Sequence, residues 1–216
     1  HQLHAALLEA VTQLLEALVA DFTGAELGAQ VFDAAKAADL PCTASIFDKA
    51  SLDQLMAFDP PYIKLASTDA NNLPLIEMAS ATGRQILLST GMATLGEIEK
   101  AVETLTKAGA KDPVLLHCVS AYPCPEEIAN VGFIETLKSA FGLPVGFSDH
   151  TETSVSAILA VALGVTWIEK HMTHDRGAKG FDHAYAMEPD MLKNYIRDVR
   201  AAEAALKPQV PKAGET

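Results

Sequence analysis

Short apolar runs with strand character alternate along this chain with longer segments of helical period. The runs fall at Cys42–Ile46, Tyr62–Ala66, Gln85–Ser89, Val114–Val119, Val145–Ser148 and Val165–His171. Apolar residues at helical spacing fill the intervals near 49–57, 72–82, 95–108, 126–140 and 152–162, and recur at 189–206. Asp48 and Ser51 are candidate N-caps before Leu52, and Thr94 caps the segment from Leu95 to Ala108, which Gly109 ends. No Asn-Gly hairpin turn joins neighbouring runs, so the alternation predicts a parallel sheet covered by helices.

Upstream, Leu7, Val11, Leu14, Leu15 and Leu18 recur at helical spacing over 3–20, and a second amphipathic segment runs from Gly24 to Ala38. Residues 1–40 thus read as a helical N-terminal segment and 41–206 as the sheet-forming core. Residues 207–216, rich in Pro and Lys, have the composition of a linker or tail. Six strand-helix units are fewer than the eight of a closed (β/α) barrel of ~250 residues. An open doubly wound sheet fits the length, but the chain shows neither Gly-x-Gly-x-x-Gly nor a P-loop.

Composition narrows the class. An apolar share of 49% over 216 residues suits a globular core, and no apolar run approaches the ~18 residues of a membrane span. The formal charge of −12 argues against nucleic acid or an anionic membrane as partner, while leaving room for a small anion held at short range. Cys42, Cys118 and Cys124 form no Cys-x-x-Cys pair and point to a reducing, cytoplasmic compartment. The chain opens on His1 with no signal-peptide pattern, which reads as a processed chain or a piece of a longer one.

The polar chemistry collects at the ends of the predicted strands. Those ends carry Ser45; Lys64 with Ser67 and Asp69; Ser89 and Thr90; His117, Ser120 and Tyr122; Ser148 and His150; and Glu169 with His171. Barrels and open α/β sheets place their sites at this end. A single serine there is an ordinary cap or turn residue, whereas hydroxyls recurring strand after strand beside a lysine suit a phosphate. Lys64 within an apolar strand needs an anion or a carboxylate partner, Asp69 or Glu169. By the period of two, Ser148 shares a face with His150, and Glu169 with His171. The two histidines are candidate ligands of one divalent ion, with Mn²⁺ favoured over a structural zinc. His117, flanked by Leu115, Leu116, Cys118 and Val119, reads as a packed core histidine.

Six ordered motifs carry a resemblance: Lys64-Leu-Ala-Ser-Thr-Asp-Ala-Asn-Asn72, Leu88-Ser-Thr-Gly-Met-Ala93, Leu116-His-Cys-Val-Ser-Ala-Tyr-Pro123, Phe147-Ser-Asp-His-Thr151, Glu169-Lys-His171 and Gly180-Phe-Asp-His183. From about Cys42 to about Leu206 the chain resembles the sialic acid synthases, meaning the N-acetylneuraminate synthases and their legionaminic and pseudaminic acid relatives. The resemblance implies an α/β fold, a (β/α) TIM-type barrel lacking its first two strands here. It implies condensation of phosphoenolpyruvate with an N-acetylated amino sugar of the N-acetylmannosamine type, with release of phosphate. His150 and His171 match the family's metal ligands, for Mn²⁺ or alternatively Mg²⁺. Lys64, Ser67, Ser89, Ser120 and Ser148 match positions that hold phosphoenolpyruvate, with Ser45 beside them. Tyr122 and Asp182 match sugar-binding positions, Asp69 matches an acidic residue beside the reacting centre, and Asp69 or Glu169 is the candidate to manage the proton of the attacking water.

The chain also departs from that family. Relatives carry two earlier strands with a further lysine and acidic residue, and a C-terminal antifreeze-like domain that reaches the partner's site in a homodimer. Ser45-Ile-Phe47 stands where Thr-Pro-Phe is usual. A catalytically silent fragment that binds metal or phosphate, or serves in assembly, is the alternative expectation.

Overall fold

The structure, a computed structural model, describes residues 24–208. The helix expected over 3–20 and most of the 207–216 tail lie outside the described residues. In chain order the elements are α1 (Gly24–Ala37), β1 (Ser45–Ile46), α2 (Lys49–Met56), β2 (Tyr62–Leu65), α3 (Leu73–Ser80), β3 (Gln85–Ser89), α4 (Leu95–Lys107), β4 (Lys111–His117), α5 (Phe133–Phe141), β5 (Val145–Asp149), α6 (Val155–Ala162), β6 (Ile168–Lys170) and α7 (Pro189–Ala205).

All pairings are parallel, and the strands lie in the order β1-β2-β3-β4-β5-β6. A doubly wound sheet reverses its order part-way, and this one does not. The sheet also curls. With strands ~4.8 Å apart, β2 and β6 of a flat sheet would stand ~19 Å from each other. Instead the rings of Tyr62 on β2 and Trp167 before β6 meet edge to face at 5.4 Å, and Lys64 Nζ lies 3.5 Å from Glu169 Oε2. Six strands therefore form a curled half-barrel of the TIM type.

Alternation along each strand gives this sheet two interiors. Ile63, Leu65, Ile86, Leu88, Leu115 and Phe147 point outward into the main core, where Leu75, Ile76, Ile98, Leu105, Ile134 and Leu137 of the helices cover them. Burying each such side chain contributes roughly 1.5–3 kcal/mol. The opposite face carries Leu87, Val114 and Leu116, packed with Tyr62 and Trp167, at the floor of the barrel interior. The site lies one step further along the same faces.

Local signals explain the helix ends. Asp48 caps α2 in a box with Ser51, the third residue of the helix, and Thr94 forms the equivalent box with Glu97 at α4. Gly109 ends α4 at φ +72°, a conformation open to glycine. The segment expected as one helix over 126–140 divides into a 3-10 turn at Glu126–Ile128 and α5. Asn130, at φ +48°, interrupts it. β1 and β6 are shorter than the apolar runs that predicted them, as their outer sides have no neighbouring strand among the described residues.

Candidate functional site

The inward face of the strands carries the polar residues upward in layers. Lys64 follows Tyr62 on β2, Ser89 follows Leu87 on β3, Ser148 and then His150 follow Gly146 on β5, and Glu169 and His171 follow Trp167 on β6. Ser45 pairs in register with Lys64, and Ser148 with Glu169. Each pair of registered residues in a parallel ladder shares a face, so all of these enter the interior.

Lys64 is buried, and its ammonium meets the Glu169 carboxylate and donates to the Leu65 carbonyl at 3.2 Å. Of the two carboxylates offered by the sequence as its partner, the structure selects Glu169. Ser148 donates its hydroxyl to Glu169 Oε1 at 2.7 Å. Ser89 Oγ is buried with no hydrogen-bond partner among the described residues. An orphaned buried hydroxyl costs about 1–3 kcal/mol, and a bound acceptor removes that cost. A cation, a waiting hydroxyl and a hydroxyl already aimed at a carboxylate form a corner suited to a phosphate or carboxylate of a small ligand.

Above it stand the two imidazoles. His150 Nδ1 lies 2.8 Å from the Val119 carbonyl, which accepts only, so the proton sits on Nδ1 and Nε2 presents its lone pair. Burial is the main cause holding His150 below the usual imidazole value, with the Val119 carbonyl acting against it and the neighbouring His171 acting with it. The rings of His150 and His171 are 5.2 Å apart. Tyr122 lies 4.4 Å from His150 and 5.8 Å from His171, ring to ring.

The remaining predicted residues line the rim. Ser67 opens the 3-10 turn Ser67–Asp69, and its Oγ is 3.3 Å from Cys118 Sγ. Gly91 packs so closely here that an added Cβ would stand 2.6 Å from Cys118 Sγ and 3.0 Å from Ser120 Oγ. Ser67, Cys118, Gly91 and Ser120 thus form one continuous wall. Asp69 accepts from Asn72 at 3.0 Å and from Thr68 at 3.2 Å, partners of its own turn rather than of Lys64. Asp182 is exposed and accepts a hydrogen bond from Tyr185. His117 is a core residue as expected: it faces the helices, lies 3.0 Å from the Ala129 carbonyl through Nε2, and stacks on Phe147.

Among the described residues no group of three or more His, Cys, Asp or Glu is arranged around one metal position. His150 and His171 offer two nitrogens side by side, the first with its lone pair directed by the Val119 bond. That fits an ion whose other ligands are water and substrate oxygens, and does not fit a closed structural zinc site.

The NeuB family profile matches residues 9–210. This chain belongs to the NeuB family. It is 39% identical to the N,N'-diacetyllegionaminic acid synthase of Campylobacter jejuni, covering 84% of this chain and 55% of that one. It is 43% identical to an uncharacterized protein of Methanocaldococcus jannaschii, over 72% of this chain and 46% of the other. The crystal structure of the N-acetylneuraminic acid synthetase of Leptospira borgpetersenii, in complex with citrate, superposes with a TM-score of 0.82 at 34% identity, covering 89% of this chain and 68% of that one. The NeuB chain described here spans about half the length of the curated relatives it matches.

Two features of this NeuB site escaped the sequence. Tyr185 joins the aromatic cluster, its ring 5.2 Å from Tyr122 and 5.4 Å from His171, and burial together with the Asp182 carboxylate pushes its phenol upward. It sits in a 3-10 turn of an irregular loop, where no periodicity marks it. The second feature lies behind the histidines. Asp149, fully buried, receives Lys170 at 3.2 Å and the Tyr195 hydroxyl at 2.7 Å on one oxygen. Its other oxygen accepts the Thr151 amide and hydroxyl, each at 2.8 Å. The signal was present in the alternation, since Asp149 between Ser148 and His150, and Lys170 between Glu169 and His171, must both point toward the helices.

Proposed function

We propose that this chain joins phosphoenolpyruvate to an N-acetylated amino sugar of the N-acetylmannosamine type, giving a nonulosonic acid and inorganic phosphate. The observation that carries this reading is the corner made by Lys64, the orphaned Ser89 hydroxyl and Ser148, directly below His150 and His171. Membership of a family whose relatives include legionaminic and sialic acid synthases supplies the reaction class.

In this reading Lys64 and the Ser89 hydroxyl hold the anionic groups of phosphoenolpyruvate, Ser148 joins them by turning its hydroxyl from Glu169 to the ligand, and Ser45, Ser67 and Ser120 stand at the margins. Tyr122 and Asp182 seat the open-chain sugar, so that its aldehyde carbon meets C3 of phosphoenolpyruvate in a fixed approach. His150 and His171 would hold a divalent ion, Mn²⁺ in our reading, which would supply Lewis-acid polarisation of the aldehyde oxygen. The new bond forms between C3 and the aldehyde carbon, leaving electron deficiency at C2. Water adds at C2, and its proton passes to Glu169 or Asp69. The tetrahedral carbon then collapses to a ketone by breaking its bond to the phosphate oxygen, and phosphate leaves. Glu169 is the better placed base, because Lys64 holds its carboxylate inside the barrel, whereas Asp69 is engaged with its own turn. We place this chemistry in a reducing, cytoplasmic setting, consistent with three free cysteines.

A second reading has a specific observation behind it. β1 and β6 are unpaired on their outer sides among the described residues, and Phe47 beyond β1 is 59% exposed. A chain with such edges can retain the binding site without turnover. Phosphate release from phosphoenolpyruvate, with N-acetylmannosamine and Mn²⁺, separates the two. Release that needs sugar and metal and vanishes in His150→Ala supports the synthase. Absence of release with retained phosphoenolpyruvate binding supports the silent form.

A further inference from the structure

The parallel ladder between β5 and β6 pairs Ser148 with Glu169 and Asp149 with Lys170, and ends there. His150 and His171 are the next residues, one step beyond the last rung. Ladder hydrogen bonds therefore do not set their separation. Another element must.

That element is on the reverse side of the same strand ends. Lys170 bridges from β6 to the Asp149 carboxylate and also donates to the Thr151 carbonyl, so it grips the chain on both sides of His150. Tyr195 of α7 donates to Asp149, and Lys170 lies over the Tyr195 ring at 5.0 Å. With Thr151 occupying the other oxygen, the Asp149 carboxylate is fully satisfied. The side chains of Asp149 and Lys170 are 0% and 6% exposed. A buried pair of this kind adds little net stability over an apolar replacement, because desolvation offsets the attraction; what it adds is fixed geometry. None of these groups enters the barrel interior, so none touches substrate.

We infer that Asp149, Lys170 and Tyr195 form a clamp that sets the spacing and ring orientation of His150 and His171, as positioning residues for the divalent ion. This rests on the metal reading given above. The clamp acts through the backbone: it fixes Asp149 and Thr151 on either side of His150 and Lys170 immediately before His171, while the Val119 carbonyl fixes the ring itself. The Cys124 amide on the His150 carbonyl, at 2.8 Å, and the Met187 amide on the His171 carbonyl, at 3.0 Å, complete the hold.

The test uses the double variant Asp149→Asn/Lys170→Met, which removes both charges together and keeps the shape of each side chain. Its charge neutrality spares the fold the unpaired buried ion that either single change leaves. Two readouts are taken on the folded variant: Mn²⁺ affinity by electron paramagnetic resonance, and the ring nitrogen signals of His150 by nuclear magnetic resonance without metal. Mn²⁺ affinity is expected to fall about tenfold or more, the range typical of lost groups behind metal ligands. The Nδ1-protonated form of His150 is expected to give way to a mixture, while phosphoenolpyruvate binding without metal stays within about twofold. Tyr195→Phe is expected to fall between wild type and the double variant. Affinity and ring signals unchanged in a folded double variant overturn the clamp. If the wild-type chain takes no Mn²⁺ through His150 and His171, the metal reading fails; the ring signal then decides, and an unaltered His150 tautomer in the variant overturns the clamp while a mixed one sustains it.

Discussion

Lys64 on β2 and Glu169 on β6 meet at 3.5 Å across the barrel interior, although three strands lie between theirs in the sheet. The contact is possible only because the sheet curls, and it joins the cation of the anion corner to the acid that shares a face with His171. Replacing Lys64 by Met removes the positive charge that this corner directs at a phosphate. Affinity for phosphoenolpyruvate is expected to drop about 10- to 100-fold, corresponding to ~1.5–3 kcal/mol for a charge-assisted hydrogen bond. Titration calorimetry measures it, and an affinity within twofold of wild type would remove Lys64 from the site.

Ser89→Ala separates a ligand-binding hydroxyl from a structural one. The Ser89 hydroxyl makes no hydrogen bond among the described residues, so its loss is expected to leave stability unchanged or raised by up to about 1 kcal/mol. Binding of phosphoenolpyruvate is expected to weaken in the same variant. Urea unfolding beside calorimetry reads both effects, and weakened folding with intact binding would assign Ser89 to the fold instead.

Gly91→Ala places a methyl 2.6 Å from Cys118 Sγ and 2.9 Å from the Cys118 carbonyl. The backbone on one side must move, at a cost of about 1–3 kcal/mol. Because Ser67 and Ser120 stand on the same wall, ligand affinity is expected to fall together with the melting temperature. Thermal unfolding and binding measured on one preparation check the coupling.

Burial lowers the imidazole value of His117 below its ordinary 6.5, while the Ala129 carbonyl acts in the opposite direction. The unfolded chain thus takes up a proton that the folded chain refuses. The stabilisation is full above 6.5 and is lost as pH falls from there toward the depressed folded value. His150 shifts in the same direction, so the contribution of His117 is the difference between wild type and His117→Gln. Urea melts between about pH 7.5 and about pH 5 should show a shallower loss in the variant. An identical slope would mean that His117 accepts its proton without penalty.

Much of this arrangement was legible before the structure. The period of two placed Ser148 with His150 and Glu169 with His171, and the apolar neighbours of His117 marked it as core. Chain order and the lack of hairpin turns pointed to the parallel sheet, while the unreversed strand order and the Tyr62–Trp167 and Lys64–Glu169 contacts distinguish a curled half-barrel from an open sheet. The partner of Lys64 was undetermined because it comes from a distant strand, and distance across a barrel leaves no trace in local spacing. Tyr185 reaches the site from an irregular turn. The break at Asn130 depended on a left-handed backbone conformation that a helical spacing of apolar residues conceals.

The most direct test follows one oxygen atom. Phosphoenolpyruvate labelled with ¹⁸O at the bridge between C2 and phosphorus is incubated with the chain, N-acetylmannosamine and Mn²⁺, and both products are analysed by mass spectrometry. Attack of water at C2 followed by expulsion of phosphate sends the label into inorganic phosphate and leaves the sugar acid with oxygen from water. Label retained at C2 of the organic product, or no labelled phosphate at all, would contradict the proposed condensation.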